Sequence, residues 1–169
     1  KRLSALIPRL KRSGATNVQL VHPSEPVQLD TLTGLMDCVF VDAPCTGTGT
    51  WRRRPDSKWR IKQGQLEKRM SEQTEILDAA AAFVKPGGRM VYATCSFLME
   101  EDEDRVAEFL ESHPEFTEED AAAAAIASGL LTDEGANIVQ RFRMPTGSVR
   151  LTPHRARTDG FFFAVLRRT

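Results

Sequence analysis

Apolar positions along the chain fall into two periods. Leu3, Leu6, Ile7 and Leu10 recur at helical spacing, which predicts a helix over 2–12 with Pro8 marking a first turn or a kink. Leu66, Met70, Leu77, Ala81 and Val84 share one helical face across 65–84, and Lys85-Pro86-Gly87-Gly88 stops it. Val106, Phe109 and Leu110 define another helix over 101–111, closed by His113 and Pro114. Ala121–Ala127 favours helix by propensity. Short apolar runs read as strands at 17–21, 38–41, 89–94, 142–144, 149–151 and 161–166. The run 38–41 is apolar throughout between Asp37 and Asp42, so it is expected to be buried on both faces, as in a parallel sheet. The run 161–166 is also apolar on both faces and belongs inside the sheet. Strands alternating with helices predict an α/β fold, a mostly parallel sheet with a late antiparallel strand.

Of the 169 residues, 41% are apolar and 27% charged, the composition of one globular domain, taken here as 1–169. No stretch is apolar for long enough to span a membrane, and no signal peptide or lipidation signal appears. Three cysteines, with no CxxC, argue against a disulfide scaffold or a structural zinc site and fit a reduced, cytoplasmic compartment. The balance of 23 Lys+Arg against 23 Asp+Glu hides segregation. Basic residues gather in 1–12, 51–69 and 141–169, acidic ones in 100–120. Any one run reads as a solvated face, but three basic runs around apolar strands suit a groove for a polyanion, with the acidic run facing away.

In parallel sheets the binding crevice lies beyond the carboxyl ends of the strands. Two loops fall there, Asp42-Ala43-Pro44-Cys45-Thr46-Gly47-Thr48-Gly49-Thr50 and Thr94-Cys95-Ser96. The first lacks the Lys-Ser/Thr step of a phosphate loop and the GxGxxG of a dinucleotide turn. Each cysteine is either an ordinary core residue or a nucleophile whose thiolate is favoured by nearby positive charge.

DAPCTGTGT (42–50) followed by RRRPDSKW (52–59), VYATCS (91–96) with an acidic helix start, and LTPHRARTDGFF (151–162) together resemble the NOL1/NOP2/Sun family, the Rsm-type RNA 5-methylcytosine methyltransferases. The resemblance implies a class I, Rossmann-like methyltransferase sheet, S-adenosylmethionine as donor, and C5 of a cytosine in rRNA or tRNA as acceptor. It also implies roles. Cys95 is the nucleophile that adds to C6, and Cys45 assists release of the product. Asp42 contacts the base near N3 and N4, and Lys58 lies near the catalytic centre. Asp42, Pro44 and Ser24 stand on the donor side. Arg52, Arg53, Arg54, Arg60, His154 and Arg155 are the candidate RNA contacts. Without the resemblance, Asp42 reads equally as a turn cap, Lys58 as a solvated charge, and Trp51 and Trp59 as core.

The sequence departs from the family in two places. The DxCAxPGGK-type donor loop is absent, and His22-Pro23-Ser24 stands where the family carries an acidic adenine contact. In the family strand order 3-2-1-4-5-7-6, the chain is expected to supply strand 3 and strands 4 to 7, leaving an apolar edge on strand 4. It is accordingly expected to be part of a longer protein, monomeric when whole, and a poor donor binder alone. A catalytically silent RNA-binding module of the same fold is the competing reading. An amino-group methyltransferase is weaker, because amine methylation needs no nucleophilic cysteine.

Overall fold

The computed structural model describes residues 5–21 and 29–169, which fall into two compact units, Lys1–Thr33 and Gly34–Thr169. In the first unit, α1 (Ile7–Ser13) carries Pro8 in its first turn, where a missing N–H costs nothing. It ends at Gly14, whose left-handed φ of 68° turns its N–H back onto helix carbonyls. Residues 17–21, expected as a strand, pair with nothing among the described residues. An extended segment becomes a strand only when a neighbour takes its backbone hydrogen bonds. Ser24 lies outside the described residues.

In the second unit β1 (Met36–Asp42), α2 (Gln63–Ala81) and β2 (Val84–Thr94) form a parallel βαβ unit, with Asp42 opposite Ala93. Then follow α3 (Glu103–Ser112), β3 (Phe116–Glu119), α4 (Ala121–Ala127), α5 (Asp133–Arg141), β4 (Val149–Leu151), α6 (Pro153–Ala156) and β5 (Phe161–Arg168). β5 runs antiparallel to β2 on one side, and to β3 and β4 on the other. The sheet is therefore mixed and open, with order β1-β2-β5-β3 and β4 beside the start of β5. β5 is internal, as its two-faced apolar pattern required. Phe162, Ala164 and Leu166 point to a core shared with Leu77 of α2 and with Val106 and Phe109 of α3. Val165 points to a second core with Ala121, Ala122, Phe142 and Val149.

Three further expectations are corrected. β1 is not buried on both faces. Val41 is buried, but Cys38 is exposed and Phe40 is 67% exposed, because nothing among the described residues covers the outer side of this edge strand. Residues 142–144 are not a strand: Phe142 closes α5, and Arg143 makes only an isolated bridge to Val149. Lys85–Gly88 end the helix yet lie within β2, accommodated by an irregular register between Met36 and Cys38. β3 and α5 were not foreseen: β3 has only four residues, and α5 is nine residues long with Ile138 and Val139 as its large apolar residues. No helix among the described residues is long and apolar enough to cross a membrane.

Beyond the sheet, the backbone of the 42–50 loop meets the start of β5. The Gly160 N–H donates to the Gly49 carbonyl at 2.8 Å. A Cβ built on Gly49 would lie 2.2 Å from the Gly160 oxygen. We expect Gly49→Ala to destabilise the fold by about 1–3 kcal/mol or more in urea unfolding. Gly64→Ala, in the open first turn of α2 with nothing within 4 Å, should instead be neutral or stabilising by up to about 1 kcal/mol.

Candidate active site

β1 and β2 are adjacent and parallel, so their carboxyl ends deliver the two cysteine loops side by side. Ala43 continues the pairing by donating to the Ala93 carbonyl at 3.0 Å. Gly47, at φ 73°, then turns the chain, and Thr48–Thr50 form a single 3-10 turn. The Gly49 N–H donates to the Cys95 carbonyl at 2.9 Å. Thr48 and Ser96 hydroxyls lie 3.0 Å apart, and the Phe97 N–H donates to Thr48 Oγ1. The result is a sulfur pair, with Cys45 Sγ 3.3 Å from Cys95 Sγ.

The cysteine loop is held from below by two buried polar residues that the sequence reading did not single out. Glu101 is fully buried and accepts from the Thr46 N–H at 2.7 Å and from Thr46 Oγ1 at 2.5 Å. Gln73, also fully buried, donates from Nε2 to the Pro44 carbonyl at 2.9 Å and lies 3.4 Å from Glu101 Oε1. Tyr92 fixes the Glu101 backbone by donating to its carbonyl at 2.6 Å. Part of the acidic run therefore faces the site rather than away from it. Asp102 is buried beside Glu101 and accepts from Thr94 Oγ1 at 2.6 Å. Burial pushes its carboxyl up to about 7, against the opposing Thr94 hydrogen bond and the Arg150 charge.

The two thiols are driven apart electrostatically. The hydrogen bond from Cys45 brings Cys95 down to about 7, with burial and the charges of Asp42 and Glu101 opposing. Cys45, as donor and partly buried, is pushed up and stays a thiol. Near neutral pH, Cys95 is thus the more readily ionised of the pair, with Cys45 as its proton-bearing partner.

The other predicted residues are distributed more widely. Asp42 ends β1 with an exposed carboxylate that has no hydrogen bond or ion pair among the described residues. Pro44 is half-buried and has its carbonyl taken by Gln73. Lys58 Nζ sits 5.6 Å from the Trp51 ring centroid and 5.4 Å from that of Trp59. Trp51 packs edge-on against Phe97, two residues past Cys95, while Trp59 is 82% exposed rather than core. Arg52 and Arg53 both pair with Asp159, which fastens the arginine segment to the start of β5. Arg60 pairs with Asp56 in solvent, and Arg54 is exposed. His154 and Arg155 lie on α6, lining a cavity that none of the cysteine-loop residues reaches. A smaller cavity of about 300 Å³ opens beside the sulfur pair, lined by Cys45, Thr46, Ile61, Gln65, Lys68 and Arg69. That volume is at the lower end for small-molecule sites. Lys68 and Arg69 belong to the basic run but were not singled out.

An open α/β sheet of this order, with paired loops at its carboxyl ends, has the Rossmann-like architecture of class I methyltransferases. The chain belongs to the family described as 16S rRNA methyltransferase RsmB/F, whose model matches residues 1–167. It is 36% identical over 132 residues to the ribosomal RNA small subunit methyltransferase B of Pectobacterium atrosepticum, covering 78% of this chain and 26% of that one. The chain thus spans about a quarter of that relative's length. Among solved structures it resembles PH0851 (TM-score 0.80, 33% identity, 99% of this chain and 34% of that one). It also resembles NSun6 from Pyrococcus horikoshii with SFG (TM-score 0.70, 27% identity, 99% and 38%).

Two predictions follow from the geometry. Iodoacetamide labelling of Cys95, resolved by peptide mass spectrometry, should rise through a midpoint near pH 7. In Cys45→Ala the midpoint should move up toward 9.0, because the hydrogen bond that favours the thiolate is gone; an unchanged midpoint would show that the sulfur contact is not its source. Glu101→Ala leaves the partly buried Thr46 N–H without its acceptor and should cost about 1–3 kcal/mol in chemical denaturation. The same change should blur the Cys95 midpoint by freeing the Cys45 loop.

Proposed function

We propose that the protein methylates C5 of a cytosine in RNA, with Cys95 as the attacking group and Cys45 as its partner. The observation that carries this reading is the 3.3 Å sulfur pair at the ends of adjacent parallel strands, in which Cys95 is the more readily ionised sulfur. Cytosine C5 is a poor nucleophile. Addition of the Cys95 sulfur to C6 forms a C–S bond and moves the C5–C6 π pair toward C5, which becomes nucleophilic. Asp42, open at the end of β1, accepts from the exocyclic N4 amine; as charge builds, N3 takes a proton from solvent, donates it in a hydrogen bond to the Asp42 carboxylate, and returns it to solvent on release. After C5 is methylated, its proton passes to solvent, the electron pair re-forms the C5–C6 double bond, and Cys95 departs as thiolate. Cys45 donates to that thiolate before attack and again as it leaves.

S-adenosylmethionine fits the chemistry of the residues present: its sulfonium and ammonium are cationic, and the Asp42 carboxylate is exposed and unpaired among the described residues. Asp42 and Pro44 would hold it; Ser24, the other donor-side candidate of the sequence, lies outside the described residues. When bound it supplies an electrophilic methyl group. Lys58, fixed over Trp51 and Trp59, adds positive charge that favours the thiolate and the approaching phosphates. Arg54, Arg60 and the Asp159-anchored Arg52 and Arg53 supply backbone contacts of the kind that set affinity rather than sequence choice. The proposal includes rRNA or tRNA as partner, a cytoplasmic location, a monomeric intact protein, and 1–169 as part of one catalytic domain. A silent RNA-binding module would have no use for a lowered thiol facing a second one.

The test is covalent trapping in the intact protein with cytosine-containing RNA and S-adenosylmethionine. Cys45→Ala should accumulate an RNA–protein adduct that survives denaturing electrophoresis, whereas Cys95→Ala should give neither adduct nor bisulfite-resistant cytosine. An adduct in Cys95→Ala, or none in either variant, would refute the assignment.

A further inference from the structure

Carboxylates hold many of the arginines around the sheet. Glu119 takes Arg89 and Arg167, Asp120 takes Arg143, and Glu103 takes Arg150. Arg141, Arg155 and Arg157 differ: none has an ion pair among the described residues, yet all three line one cavity of about 770 Å³ between α5 and α6. Two of them are positioned without a counter-charge. The Arg141 and Arg155 guanidiniums lie 5.5 and 5.4 Å from the ring centroid of buried Phe142, one from each helix. Arg157 closes α6 in the left-handed region at φ 56°, the one non-glycine residue with positive φ among those described. Asn137 and His154 add hydrogen-bonding groups to the wall, and Glu134 is the single carboxylate there. Three cations gathered around one concavity repel one another, and an arrangement of this kind suits an external polyanion.

The cavity is tied closely to the cysteines. Gly160 lies three positions after Arg157, a span of at most about 11 Å. The Gly160 N–H reaches the Gly49 carbonyl at 2.8 Å, and the Gly49 N–H reaches the Cys95 carbonyl at 2.9 Å. A strand whose cytosine lies at Cys95 therefore has phosphates within reach of this cavity a few nucleotides away. A concave site with guanidiniums on several sides suits a bent single strand better than the convex surface of a duplex.

We propose that the cavity lined by Arg141, Arg155 and Arg157 binds the phosphodiester backbone of single-stranded RNA a few nucleotides from the cytosine that reaches Cys95. The inference rests on the RNA-directed reading of the sulfur pair and adds to it a second point of attachment, outside the loop that carries the reaction.

The experiment measures binding of a single-stranded, cytosine-containing RNA oligonucleotide to the intact protein as a function of salt. In Arg141→Gln/Arg155→Gln/Arg157→Asn, asparagine keeping the left-handed position accessible, the log–log salt slope should become shallower by about 2. At saturating RNA, the adduct formed when Cys45→Ala is added should keep its yield. Glu134→Gln, which leaves every arginine in place, should tighten binding severalfold at low salt and keeps the test open if the triple variant folds poorly. An unchanged slope in the folded triple variant, or no tightening in Glu134→Gln, overturns the proposal. So does displacement of the RNA by inorganic phosphate at constant ionic strength, or an acidic polypeptide that binds as tightly with the same slope change. Absence of any adduct with Cys45→Ala instead refutes the catalytic reading, whatever the salt slopes show.

Discussion

Glu101 carries a buried carboxylate at the point where three parts of the site meet. Its oxygens take both donors of Thr46, its backbone is pinned by Tyr92 of β2, and Gln73 of α2 joins it to the Pro44 carbonyl. A buried carboxylate is stable only when its lone pairs are filled, so the network is demanding in both directions. It fixes the Cys45 loop because the loop supplies the donors that make burial tolerable. Strand pairing sets the two loops next to each other, but pairing alone would leave Cys45 free to turn. The contact between the sulfurs depends on this second constraint.

The same logic explains why one thiol ionises more readily than the other. Two sulfurs at hydrogen-bond distance share one favourable arrangement, a thiolate accepting from a thiol. Asp42 and Glu101 oppose the anion on Cys95, so the Cys45 hydrogen bond must outweigh them. A base that takes the proton from the thiol would have been a different solution. Here the activating group is itself a protonated acid of the same chemical type.

The parts of the fold that were legible in the sequence are those set by local pattern. The βαβ unit and the interior position of β5 came from apolar runs, and the loops at the strand ends from their turn residues. What escaped was set by partners distant in sequence. Cys38 to Val41 look the same whether a second layer covers them or not, so the exposed face of β1 was invisible. Four residues of β3 have too short a period to register. The acidic run looked like a solvated face, yet Glu101 and Asp102 turn inward because Thr46 and Thr94 wait there. One signal was available. Gln73 falls at helical spacing between Met70 and Leu77, a polar residue inside an apolar stripe, and such a residue needs a buried partner. Trp59 shows the opposite error, an aromatic residue taken for core because its neighbours in sequence do not report exposure.

The backbone contact between Gly49 and Gly160 has a consequence for how this region can vary. Most steric conflicts in a protein interior can be relieved by trimming the opposing side chain elsewhere. Here both sides of the contact are already glycine and the clash is main chain against main chain, so no second-site suppressor of that kind exists. The two positions can drift only by moving whole segments, and those segments carry Cys45 at one end and the Asp159 anchor of Arg52 and Arg53 at the other.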